Sequence, residues 1–136
     1  MDLQNVMAIS ASGMKAQGVR LKVIAENLAN ANTTAETPGD LPYRRKVVIF
    51  KNELDRALGT DTVRAAKIDV DKSDFQRRYD PTHPSADADG YVLLPNVNSI
   101  IESMDMREAQ RSYEANVSVV EAARTMLSRT IEVLRG

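Results

Sequence analysis

From Ser99 to Leu134 the chain repeats one spacing without a break: Met106, Ala109, Tyr113, Asn116, Val120, Ala123, Leu127, Thr130 and Leu134 alternate steps of three and four. That alternation is the seam of an α-helix made to lie along another helix. At 1.5 Å per residue, a helix over this stretch is roughly 54 Å long. No compact core of a chain of 136 residues covers such a rod. Ser99-Ile-Ile-Glu102 at its start has the form of a capping box, in which the serine hydroxyl bonds the amide three residues on and Glu102 reaches back. Val117, Val119, Met126, Ile131 and Val133 lie beside the seam and widen the apolar surface beyond a two-helix stripe. Burying each Leu, Val or Met side chain contributes about 1.5–3 kcal/mol. The surplus therefore predicts partners outside the chain.

A second seam opens the sequence. Met7, Met14, Leu21 and Leu28 form a row of large side chains, and Ala11, Gly18 and Ala25 form a small row that lets another helix approach closely. Gly18 and Gly13 each cost about 1 kcal/mol against alanine inside a helix, so this helix is not optimised to stand alone. It is expected to end near Asn30 to Asn32, where asparagine tolerates the left-handed conformation of helix ends and Thr33 and Thr34 are poor continuers. Pro38-Gly39 and Pro42 then forbid helix.

The middle of the chain reads as extended. Strands are predicted over Tyr43 to Phe50, Val63 to Val70, Phe75 to Tyr79 and Tyr91 to Leu94, with a short helical turn around Glu53 to Leu58. The expected fold class is α+β: long terminal helices pair as an antiparallel coiled coil around a small β-rich insertion. The division is an N-terminal axial helix over 1–32, a junction and outer insertion over 33–98, and a C-terminal axial helix over 99–136.

Chemistry finds little to work with. There is no cysteine, and His83 is the only histidine, so zinc sites and nucleophilic triads lack parts. Ser85, Asp87, Asp89 and Gly90 fall on a calcium-loop template, but Asn96 stands where a bidentate glutamate is needed and prolines replace the flanking helices. A polar turn, with Gly90 at positive φ, is the favoured reading; a calcium-binding module or a coiled-coil adaptor is the alternative function. No cofactor is implied, and no enzyme. The basic runs Arg44-Arg45-Lys46 and Arg77-Arg78 read as solvated strand edges. With a net charge of -1, nucleic acid is not an expected partner. No apolar run approaches the roughly 20 residues of a membrane span, and the N-terminus does not read as a cleavable signal, which by itself points to the cytosol.

Asn27-Leu-Ala-Asn30-Ala-Asn32-Thr33-Thr34 resembles the junction motif of the bacterial flagellar axial proteins of rod and hook. Pro38 to Lys46, Tyr79 to Pro84, Ala86 to Val92, Pro95 to Asn98 and Ser112 to Val117 extend the resemblance along essentially the whole chain, toward the proximal rod members. It departs from their usual pattern after Pro81 and at Asp40, Leu41 and Asp74. The resemblance implies a subunit exported by the flagellar type III apparatus without a cleaved signal and polymerised into the periplasmic rod. Its implied partners are copies of itself, other proximal and distal rod subunits and the rod–MS ring junction protein. The terminal helices would form the inner tube, and the stretch from Asn27 to Thr34 would be where the chain turns outward to the insertion.

Overall fold

The computed structural model describes residues 2–136. Its elements, in chain order, are α1 (Leu3–Ala29), β1 (Lys46–Asp55), β2 (Thr60–Val70), β3 (Gln76–Tyr79), β4 (Tyr91–Leu94) and α2 (Ser99–Arg135). This is the α+β composition read from the sequence, with the strands confined to two two-stranded sheets. The elements divide between two compact units. One holds the chain up to Leu21, Val48–Lys67 and Arg107–Gly136; the other holds Lys22–Val47 and Ile68–Met106.

In the first unit, small side chains let α1 and α2 come together. Ala16, Ala109 and Ala123 are buried, and a Cβ on Gly13 would lie 2.8 Å from Asn116 Nδ2. Arg20 meets Glu108 at 3.5 Å. The contact pairs 13 with 116 and 20 with 108 run in opposite directions along the chain, so the helices are antiparallel here. Ser12 Oγ donates to Ile9 O at 2.7 Å and accepts from Val63 N at 3.2 Å, joining α1 to β2.

Beyond Ala123, α2 is exposed to its end, including Met126, Leu127, Ile131, Val133 and Leu134. The helical turn expected over Glu53 to Leu58 does not form. Residues 53–55 extend β1, and Asp55 Oδ1 accepts from the amides of Ala57 and Leu58, an Asx turn that Gly59 closes at φ 63°. Aspartate at a turn start thus outcompetes the helical spacing of a six-residue window.

In the second unit Val92 is fully buried, and Val23 and Ile24 are buried as well. β3 and β4 are antiparallel, pairing Gln76 with Leu94, Arg77 with Leu93, Arg78 with Val92 and Tyr79 with Tyr91. The Tyr79 and Tyr91 rings meet edge to face at 5.4 Å.

Two helix ends differ from expectation. α1 stops at Ala29 with no left-handed residue, because positive φ occurs only at glycines among the described residues. Asn30 instead closes the end with its side chain, donating from Nδ2 to Glu26 O at 2.8 Å and accepting from Thr33 Oγ1 at 3.1 Å. At α2 the cap is Asn98, whose Oδ1 accepts from Ile100 N and Ile101 N at 3.0 and 3.3 Å. Ser99 is already helical and Glu102 does not reach back to it. The glutamate is engaged elsewhere.

Candidate functional site

Asn27 sits two residues before the end of α1 and is buried. Its amide uses every bonding position it has: Oδ1 accepts from Tyr43 Oη at 2.8 Å and Lys46 N at 2.9 Å, while Nδ2 donates to Lys46 O at 2.8 Å and Glu102 Oε2 at 3.3 Å. Asn27 therefore reads the backbone of residue 46 as a neighbouring strand would. It fixes where the chain re-enters regular structure after the proline-rich loop. Lys46 Nζ adds an ion pair to Glu26 at 3.2 Å.

Glu102, only 1% exposed, is the other pole. Its Oε1 accepts a hydrogen bond from Arg45 Nε. The same guanidinium reaches Asp71 at 3.3 Å and Asp105 at 3.7 Å. A buried carboxylate is costly unless paired and hydrogen-bonded, and Arg45 and Asn27 satisfy one oxygen each. Burial acts to lower the Arg45 pKa; the hydrogen bond and charge of Glu102, then those of Asp71, outweigh it and leave the guanidinium more firmly protonated. The Ser73 amide and hydroxyl lead in holding the Asp71 carboxyl below its ordinary range, with Arg45 assisting and burial opposing. Burial raises the Tyr43 phenol, and Glu26 and Glu102 add to this while Lys46 opposes.

A second asparagine repeats the device. Asn96 Oδ1 accepts from Arg45 N at 2.7 Å, and its Nδ2 donates to Asp71 O at 2.9 Å. Arg44 donates to Asp71 O and Ser73 O and lies 4.2 Å over the Phe75 ring. The run Arg44-Arg45-Lys46 is thus not a solvated strand edge; each member is engaged in the second unit. Below it, Thr34 Oγ1 lies 3.1 Å from His83 Nε2, and His83 Nδ1 accepts from Ser85 N at 3.0 Å. In the neighbouring turn Asp87 Oδ1 accepts from Asp89 N and Tyr91 N, with Gly90 at φ 84°. Among the described residues no group of three or more His, Asp or Glu side chains is placed to hold a metal ion.

Two family models match, one described as flagella basal body rod protein over residues 7–35, the other as flagellar basal body rod FlgEFG protein C-terminal over residues 88–133. A flagellar basal-body rod protein FlgC from Agrobacterium fabrum is 48% identical over 128 residues, covering 94% of this chain and 92% of its own length. The chain belongs to the FlgC family. FlgC of Bacillus subtilis is 40% identical, covering 92% of this chain and 93% of its own. FlgC of Salmonella typhimurium is 37% identical, with coverage of 96% and 97%. In this FlgC-family chain Asn27 and Glu102 fall inside the two matched segments, whereas Arg45 and Asp71 lie between them.

The structure distributes the predicted seam residues unevenly. On α1, Met7, Met14, Gly18, Leu21 and Leu28 are half-buried and Ala11 and Ala25 exposed; nothing lies within 4 Å of a Cβ added at Gly18. The α1 positions that are buried or touch α2 include Gly13, Arg20 and Asn27, one residue before the predicted Met14, Leu21 and Leu28, and Ala16 and Val23, two residues before the predicted Gly18 and Ala25. On α2, Ala109 and Ala123 are buried, Met106, Tyr113 and Val120 half-buried, and Leu127 and Leu134 exposed. Of the junction residues, Asn27 is buried, Asn30 and Thr34 half-buried, and Asn32 and Thr33 exposed. The sequence suggested a capping box for Glu102, a solvated strand edge for Arg45 and a failed calcium-loop position for Asn96, not the junction they form. A signal for Glu102 existed: it stands four residues before Met106, so the α2 seam continued backward places a charge on the apolar row.

Proposed function

We propose that this chain builds the proximal part of the rod through its two helices, paired as an antiparallel coiled coil. As an FlgC-family protein it is a structural subunit of the flagellar basal-body rod, not an enzyme by any named relative. The observation that supports the helix-borne mechanism is the exposed apolar end of α2, where Leu127 is 40% and Leu134 82% exposed. Burying five such side chains contributes about 1.5–3 kcal/mol each, and only neighbouring subunits supply that cover. Repeated heterologous contacts of this kind produce an open helical filament.

Under this reading the open row of Ala11, Gly18 and Ala25 receives a helix from a neighbour, the residues from 33 to 98 form the outer insertion, and the assembled rod transmits torque. The neighbours are copies of the chain, other proximal and distal rod subunits and the rod–MS ring junction protein. Export through the flagellar type III apparatus, without a cleaved signal, delivers it to the periplasm. No described helix is long and apolar enough to cross a membrane.

Leu127→Asp tests the mechanism in a motile host. The variant is expected to be exported at normal levels and to leave cells without complete rods. Normal swimming would sink the packing role.

A further inference from the structure

We draw no further inference here: the strongest candidate, the groove of about 230 Å³ between α1 and β2 lined by Ser12, Ala16, Val19, Val63 and Ala65, carries nothing, because nothing in the structure shows what covers it.

Discussion

Asn27 and Glu102, 75 positions apart in sequence, meet through a buried hydrogen bond of 3.3 Å that joins the last turns of α1 to the first turn of α2. Arg45, the residue before β1, completes the contact. Loss of this contact should be felt as a loss of stability of the unit that contains it.

Arg45→Ala removes the main counter-charge of Glu102. Because Arg45 keeps 23% of its side chain in water, the cost is expected at the low end for a broken buried pair, about 3 kcal/mol. Asn27→Ala, which strands the Tyr43 hydroxyl and the Lys46 amide, should cost about 1–3 kcal/mol. Urea denaturation followed by circular dichroism measures both; midpoints unchanged from the parent would contradict the assignment.

Stability should fall at both ends of the pH scale. The carboxyls of Asp71 and Asp87 titrate below their ordinary range in the folded chain, Asp71 chiefly through Ser73 and Asp87 chiefly through the Tyr91 amide. Their contribution is present above the unfolded value near 3.9 and is lost as pH falls through the lower folded values. The Tyr43 phenol is raised above 10.0 by burial, so its contribution is full below about pH 10 and is lost as pH rises toward the folded value. Denaturation midpoints across pH, with Asp71→Asn flattening part of the acid limb and Tyr43→Phe part of the alkaline limb, check each sign.

Two glycines should respond in opposite ways to alanine. At Gly90 the backbone is at φ 84°, and a Cβ would stand 2.9 Å from Tyr79 Cε2 and 3.2 Å from Pro81 Cβ. Gly90→Ala should therefore destabilise the chain by about 1–3 kcal/mol. At Gly18 nothing lies within 4 Å and the residue is inside a helix, so Gly18→Ala should stabilise the monomer by about 0.5–1 kcal/mol. If a neighbour's helix rests on that row, the same change should impair rod formation. A Gly18→Ala strain with a more stable monomer and unimpaired rods would show that no helix approaches closely there.

Much of the secondary structure was legible because each signal is local. A three-four alternation without proline marks α2, and the four extended runs between prolines and glycines each contain or overlap a strand. Legibility failed where two local readings competed: the Asp55 side chain made a turn where spacing suggested helix, and Asn98 capped α2 one residue before the expected serine.

By itself the sequence determined two terminal helices, an extended middle and an apolar surplus on α2, because periodicity and proline placement act through near neighbours along the chain. Only the tertiary structure decided that Glu102 is a buried partner of Arg45 and Asn27, and that Gly13, Arg20 and Asn27, not Met14, Leu21 and Leu28, meet residues of α2. A charge discloses nothing in sequence about whether water or a guanidinium will surround it. That depends on groups brought together from opposite ends of the chain.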